Sequence, residues 1–218
     1  MKSHHQVKTS MAGRPREFDR EAALQRAMLL FWEQGYEGAS MSALVDTLGI
    51  ASARIYAAFG SKQALFREAV ALYEQGEGGF ADRALAQPCL KSAVRGMLDD
   101  AITTYTQSGR PGGCLVVSAA SSTSPDGADV QQWLCEHRRQ RTQSIIDRLH
   151  RAQESGELGE DADVRALGDF YATFLHGISI QARDGVAPER LRQSVEVALS
   201  LLPTRLPSPE QTPDPTGP

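Results

Sequence analysis

Cys114 is the side chain in this sequence whose setting is most suited to nucleophilic chemistry. It follows Gly112 and Gly113 in the segment GGCL, at a junction between a loop and a predicted helix. Helix N-terminal amides can lower the pKa of a thiol at such a junction and make it reactive. A small, buried and inert cysteine fits the same segment. Both interpretations of Cys114 therefore stay open.

The other cysteines and histidines predict no metal site. The three cysteines, Cys89, Cys114 and Cys135, have no CxxC spacing, and their odd number argues against a disulfide framework. Cys135 and His137 are two residues apart, which points them to different faces of a helix. His176 lies in an apolar stretch without a second ligand at metal spacing. No G-x-S-x-G elbow, phosphate loop or HExxH motif appears. We therefore expect no metal, no cofactor and no enzymatic activity.

Composition favours a cytoplasmic protein with a slightly basic amino end. The 218 residues carry a formal net charge of −4. The first 62 residues have eight Lys and Arg against six Asp and Glu, and the remainder has fifteen against twenty-one. No stretch approaches the roughly 18 to 20 apolar residues of a membrane span, and the opening residues lack the apolar run of a secretory signal. Unpaired cysteines fit a reducing compartment.

Apolar residues recur at three and four positions, which predicts an all-α fold rather than a sheet. Asp19, Ser40 and Ser61 are predicted N-caps of the first, second and fourth helices, and the third covers about 52–59. The first helix is predicted to end at Gly35, in a left-handed conformation. A Gly-rich stretch at 76–79 follows the fourth helix. Four further helices are predicted: after Pro88 up to Gly109, from Val130 to near Gly156, over 163–184, and from Pro188 to Leu202. A short apolar segment lies at 114–120.

Residues 40–62, SMSALVDTLGIASARIYAAFGSK, have the layout of a helix-turn-helix. Gly49 provides the bend, Ala53 is the small residue expected where the helices cross, and Ala57 and Ala58 are expected to face outward. An outer face that is free can enter a DNA major groove, which is about 12 Å wide. A pair of helices that only packs is the alternative. Five apolar residues are predicted to hold the unit together: Leu44, Leu48, Ile50, Ile55 and Phe59.

At this point the chain resembles the TetR (tetracycline-repressor-like) family. The match lies in GRPREFD at 13–19, GY at 35–36, LGI at 48–50 and IYAAFGSKQAL at 55–65. The resemblance implies a helix-turn-helix DNA-binding domain at 14–62 and a helical effector-binding and dimerisation domain at 63–203. The flanking segments 1–13 and 204–218, the second of them Pro-rich, are predicted to be disordered.

The resemblance also implies which residues contact DNA. Tyr56 and Lys62 are expected to contact phosphates, and Arg54 and Ala57 to face bases. The family commonly has a hydroxyl residue at position 51, so Ser52 is expected to replace Ala51 as the helix cap. Arg14 and Arg16 form either a DNA-contacting arm or a solvated tail, and the alternatives are evenly balanced. The full predicted set is Arg14, Arg16, Ser42, Ser52, Ala53, Arg54, Tyr56, Ala57 and Lys62.

The implied function is a repressor that binds a palindromic DNA operator as a homodimer and is released by a small molecule or an electrophile. The GCL element is similar to that of a TetR subgroup that includes sensors of electrophiles or oxidants. A ligand-independent or activating regulator is the alternative. The implied dimer interface is 163–184 with 188–202, where Gly168, Ala172 and Gly177 would allow close approach; plain intrachain core is the alternative. The basic run at 138–141 is predicted to be solvated.

The resemblance places the effector pocket within 90–180. Its predicted lining residues, each of which could equally be plain core, are Met97, Ile102, Tyr105, Cys114, Trp133, Phe170, Phe174 and His176.

Overall fold

The computed structural model describes residues 18–119 and 127–202 of the chain. Within these ranges every regular element is helical, which confirms the predicted all-α fold. The predicted leader, the arm with Arg14 and Arg16, and the predicted tail lie outside the described residues. The helices are α1 (Arg20–Gly38), α2 (Met41–Leu48), α3 (Ser52–Phe59), α4 (Lys62–Gln75), α5 (Phe80–Leu85), α6 (Leu90–Tyr105), α7 (Leu115–Ser118), α8 (Ala128–Glu154), α9 (Val164–Arg183) and α10 (Pro188–Ser200).

Three helix starts are fixed by the side chains that the sequence predicts as caps. Asp19 Oδ1 accepts a hydrogen bond from Ala22 N–H at 3.0 Å. Ser40 Oγ and Ser61 Oγ accept from backbone N–H groups at 3.1 and 3.0 Å. Each bond satisfies a backbone donor that the first helical turn leaves without a partner. Gly49 ends α2 with φ 69° and ψ 27°, the left-handed conformation that glycine adopts without steric cost.

Two predictions about the helix ends are wrong. Ser52 does not cap α3: Ala51 occupies the cap position, no side chain caps the helix, and Ser52 is its first residue. Gly35 does not end α1 in a left-handed helical conformation. It has φ 73° and ψ 176°, so it kinks the chain, which continues as a helix to Gly38.

The short helix α5 was not predicted, because six residues give too little periodicity to distinguish from a loop. Its residues Phe80, Ala81, Ala84 and Leu85 are buried, and α5 packs on α6. The glycines before it are needed for close packing. A Cβ at Gly78 would lie 2.3 Å from the Tyr73 ring.

In the second half of the chain, α8 packs on α9, and α6 packs against α9 and α10. None of the helices in the described ranges has the length and hydropathy of a membrane span. Tyr171 Oη donates to Ala198 O at 2.9 Å and joins α9 to α10. The apolar stripe of α10 is buried against its own chain; its members are Leu191, Val195 and Leu199.

This packing corrects the predicted use of the small residues on α9. Gly168 allows α9 to pack closely against α8 of the same chain, because a Cβ at this position would lie 2.3 Å from Ile146. Ala172 is also buried within the chain. Only Gly177 faces open space. Helix α9 is therefore covered on one side, and its other side remains exposed at Phe170 and Ile180.

Candidate DNA-binding surface and internal cavity

Helices α2 and α3 form a compact pair whose inner sides are apolar. Leu44, Leu48, Ile55 and Phe59 are buried, and Ile50 is half-buried against them. Two predicted positions differ in the structure. Ala53 is exposed rather than set at the helix crossing. Ala58 is half-buried against the core rather than facing outward.

The outer side of α3 is a continuous exposed surface. Tyr56 has 47% of its surface exposed, an unusual degree for a large aromatic side chain. Ser42, at the start of α2, is exposed as well. The structure therefore presents on the surface five predicted DNA-contacting residues of α3: Ser52, Ala53, Arg54, Tyr56 and Ala57.

Lys62 lies at the start of α4 and is half-buried. Its Nζ is 4.5 Å from the centroid of the Tyr36 ring, a cation–π distance. Burial lowers the pKa of Lys62, and the nearby Glu37 carboxylate opposes that shift. The GY pair at 35–36 thus positions this lysine at the edge of the α3 surface.

Arginine–aromatic contacts hold the exposed surface in place. The Arg54 guanidinium lies 5.2 Å from the centroid of the Phe18 ring, and Phe18 packs edge-on against Phe59 at 6.5 Å. Arg20 joins three helices: it pairs with Glu68 on α4 at 2.7 Å and donates to Ala58 O on α3 at 3.3 Å. Sequence analysis missed Arg20, since no local pattern identifies contacts 38 and 48 residues away.

A narrow cavity lies between α4, α6, α7, α8 and α9. The space between its walls is about 410 Å³, part of which is open solvent at the mouth, and its interior is wide enough for only about one or two water molecules. The lining residues are Tyr73, Glu74, Gly78, Tyr105, Cys114, Val116, Val117, His137, Arg138, Arg141, Leu175 and His176.

Three of the predicted effector-contacting residues line this cavity: Tyr105, Cys114 and His176. The other five do not. Met97 and Ile102 are fully buried in the core and line none of the cavity. Trp133 lies in a groove at the surface of α8. Phe170 is exposed on a different face of α9, and Phe174 stacks parallel to it at 6.1 Å.

Sequence analysis missed the charged side chains of the cavity. The prediction of a solvated basic run holds for exposed Arg139 but is wrong for Arg138 and Arg141, which are half-buried and line the cavity. A signal was available: 134, 138, 141 and 145 repeat at three and four positions, and Leu134 and Ile145 are buried. The two arginines share the inward face of α8 with them.

Burial and neighbouring charges shift the titration of the cavity side chains. Burial, with a smaller contribution from the Cys114 thiol, raises the pKa of Tyr73 and of Tyr105. Burial, followed by the positive charges of Arg138 and Arg141, lowers the pKa of His176. The tyrosines are therefore neutral hydrogen-bond donors and His176 is uncharged at neutral pH.

The two cysteines that precede helix starts, Cys114 and Cys89, differ in their exposure to solvent. Cys114 is buried, and its backbone N–H donates to Ser179 Oγ on α9 at 2.8 Å. Cys89 is exposed at the cap position of α6. Hydrogen bonds from the backbone and then the side chain of Ser92 lower the pKa of Cys89.

The cavity wall is connected directly to the helix that carries the DNA-binding unit. Trp32 on α1 donates from Nε1 to Gly113 O at 3.0 Å, and its ring packs edge-on against Tyr73 at 4.8 Å. At the end of α9, Arg183 donates to Glu33 O at 2.7 Å. A change in the shape of the cavity can therefore be transmitted to α1 near its kink.

Comparison with known proteins identifies matches to both halves of the chain. Residues 23–69 match the profile described as "Bacterial regulatory proteins, tetR family". Residues 91–195 match the profile described as "Tetracyclin repressor-like, C-terminal domain".

Individual relatives match over most of their length. The HTH-type transcriptional repressor ComR of Escherichia coli K12 is 34% identical over 88% of this chain and 92% of the relative. The repressor BdcR of the same organism is 30% identical over 89% of this chain and 94% of the relative. Among solved structures, a cysteine mutant of the TetR family regulator CifR with a 26 bp operator duplex is 42% identical, with a TM-score of 0.82, over 86% of this chain and 99% of that one.

Proposed function

This chain belongs to the TetR family of bacterial regulatory proteins, and we propose that it is a ligand-responsive repressor that binds a palindromic operator as a homodimer. Its named relatives are transcriptional repressors, which identifies it as a DNA-binding transcriptional regulator rather than an enzyme. The observation that carries the proposal is the exposed outer side of α3, together with a cavity whose wall is hydrogen-bonded to α1.

In this proposal α3 is the recognition helix. Tyr56 and Lys62 contact phosphates, whereas Arg54 and Ala57 face bases in the major groove. Ser42, Ser52 and Ala53 lie at the edges of the same contact surface, and Arg14 and Arg16 act as a basic arm ahead of α1. The exposure of Tyr56 and the placement of Arg54 on Phe18 support these roles.

The proposed domain division keeps 14–62 as the DNA-binding unit and 63–203 as the effector and dimer unit, with 1–13 and 204–218 flanking them. The proposed dimer interface is the exposed side of α9 and α10. Several large apolar side chains lie exposed there, which is unfavourable unless a partner covers them. Their exposed fractions are 37% for Phe170, 45% for Ile180, 65% for Val197 and 54% for Leu201.

Pairing through α9 and α10 would fix the separation of the two α3 helices. Two half-sites on one face of DNA must lie about 34 to 36 Å apart, or a multiple of that distance. A ligand that widens the cavity would displace the Gly113 loop and Tyr73, and Trp32 would carry that displacement into α1. Such a ligand binds the form unsuited to DNA more tightly and shifts the population towards it.

The proposed effector is a small molecule that enters the cavity, and an electrophile could reach Cys114 there. This cysteine lines the cavity, which favours a role in sensing, although it is otherwise buried. Cys114→Ser should abolish the response to an electrophile and leave DNA affinity intact. An unchanged response would exclude Cys114 as the reacting group.

The proposal is tested by selecting duplexes from a random pool with the purified protein and then titrating small molecules into the complex. A ligand-responsive repressor binds a palindrome and is released by an effector. A ligand-independent regulator binds the palindrome but no molecule releases it. Transcription in vitro from a promoter carrying the selected site separates repression from activation.

A further inference from the structure

Two arginine side chains that face the cavity have no ion-pair partner in the described part of the chain. Arg138 and Arg141 form no ion pair, and their guanidinium groups make no hydrogen bond, within residues 18–119 and 127–202. One terminal nitrogen of Arg138, Nη1, is shielded from solvent and has no partner there. A buried cationic donor without a partner is unfavourable. In a ligand-binding protein, such a donor indicates a group that the ligand supplies.

An independent donor is available in the same cavity. Tyr73 is only 1% exposed, and its hydroxyl makes no hydrogen bond within the described part of the chain. Its polar neighbours are the Cys114 thiol, which is a weak acceptor, Tyr105 and Arg141. Because burial keeps this hydroxyl protonated, it can donate to an acceptor in the cavity. The unsatisfied groups of Arg138 and Tyr73 are thus both donors.

The charges of the cavity correspond to a ligand with one negative charge. Arg138 and Arg141 contribute two positive charges. Glu74 contributes one negative charge, but it contacts His137 Nδ1 at 3.2 Å and forms no ion pair with either arginine. His176 is uncharged at neutral pH because of its burial. The cavity therefore has an excess of positive charge close to one unit.

The apolar part of the wall includes Val116, Val117 and Leu175. A ligand that pairs with the unsatisfied donors and also contacts the apolar wall has an anionic head and a short apolar body. Guanidinium groups match the planar, two-oxygen geometry of a carboxylate particularly well.

We propose that the effector of this regulator is a small organic carboxylate, bound by Arg138 and Arg141 with the Tyr73 hydroxyl as an additional donor. This inference rests on the proposed function, since it takes the cavity as the effector site. Because the unliganded cavity has room for only about one or two water molecules, even a short chain or a single ring must move its walls apart.

The inference is tested by isothermal titration calorimetry on the full-length protein. Hexanoate and benzoate are compared with their neutral amides, hexanamide and benzamide, and with phenyl phosphate as a dianion. We expect a carboxylate to bind about tenfold or more tightly than its amide, because a hydrogen bond to a charged group contributes at least that factor. Equal binding of acid and amide, tighter binding of phenyl phosphate, or no carboxylate binding at millimolar concentrations would overturn the inference.

Variants on one helix locate the site. Arg138→Gln and Arg141→Gln should each weaken carboxylate binding about tenfold or more. Arg139→Gln is the matched control, because this arginine is exposed and pairs with Glu136. Undiminished carboxylate binding by both cavity variants would overturn the assignment. If Arg141→Gln fails to fold, Arg141→Lys is tested instead. Lysine keeps the positive charge but loses the two parallel donors of the guanidinium group, so carboxylate binding should be partly weakened.

Operator release, measured on the same samples, separates this inference from the proposed function. If only neutral molecules release the operator, the repressor proposal stands and the carboxylate class is wrong. If the protein binds carboxylates but no duplex, the cavity assignment stands and the repressor proposal fails.

Discussion

The Gly112–Cys114 loop is attached to α9 by one buried hydrogen bond, and its removal has a predictable cost. Ser179 is fully buried, and its Oγ accepts from Cys114 N–H at 2.8 Å. Ser179→Ala removes the acceptor and leaves a buried backbone donor without a partner. Such a donor costs about 1 to 3 kcal/mol. We therefore expect the free energy of unfolding to fall by about that amount.

Ser194→Ala is the matched control, because Ser194 Oγ donates to Leu191 O within its own helix and bonds to no other element of the described ranges. Its effect should stay within about 0.5 kcal/mol. Both variants are measured by urea denaturation, followed by circular dichroism, at one fixed protein concentration, since the proposed pairing would make stability depend on concentration. If Ser179→Ala unfolds like the control, the hydrogen bond does not hold the loop to α9.

Three further predictions concern the titratable and charged groups. Iodoacetamide at pH 7 should label Cys89 first and Cys114 last, as peptide mass spectrometry would show, because Cys89 is exposed with a lowered pKa and Cys114 is buried; faster labelling of Cys114 would contradict this structure. The lowered pKa of His176 means that the unfolded chain takes up its proton first, so the free energy of unfolding should fall as the pH drops below about 6.5. His176→Gln should remove that part of the pH dependence in urea denaturation at pH 7.5 and 5.5, and an unaltered dependence would assign it elsewhere. Arg138→Met should raise the melting temperature of the unliganded protein by removing a cationic donor without a partner, and a lowered value would show that Arg138 stabilises the fold.

The elements that sequence analysis predicted correctly depend on local chemistry. Ser40 and Ser61 cap helices through hydrogen bonds to N–H groups three residues away, so their types and positions are sufficient. The predicted bend at Gly49 is equally local, and the structure shows it as a left-handed conformation. The exposed surface of α3 followed from the same short segment and from its family resemblance.

Features that depend on distant contacts were not predictable in the same way. Gly168 suggested a contact between subunits, but its neighbour is Ile146 of the same chain. Large apolar residues on helices, such as Met97 and Phe174, indicate core or pocket equally well, and five of the eight predicted lining residues lie outside the cavity. The cavity arginines were missed because a charged run usually indicates solvent, although the apolar Leu134 and Ile145, each four residues from one of them, lie on the same inward face of α8.

Duplex binding by α3 is measured by fluorescence anisotropy on a duplex selected from a random pool. We expect a palindromic site to bind two chains, with an affinity that falls steeply as the salt concentration rises. Tyr56→Phe should weaken binding to all sequences similarly, whereas Arg54→Ala should change the preference between sites. No binding above that to random duplexes at low ionic strength, or binding unaffected by both substitutions, would contradict the account.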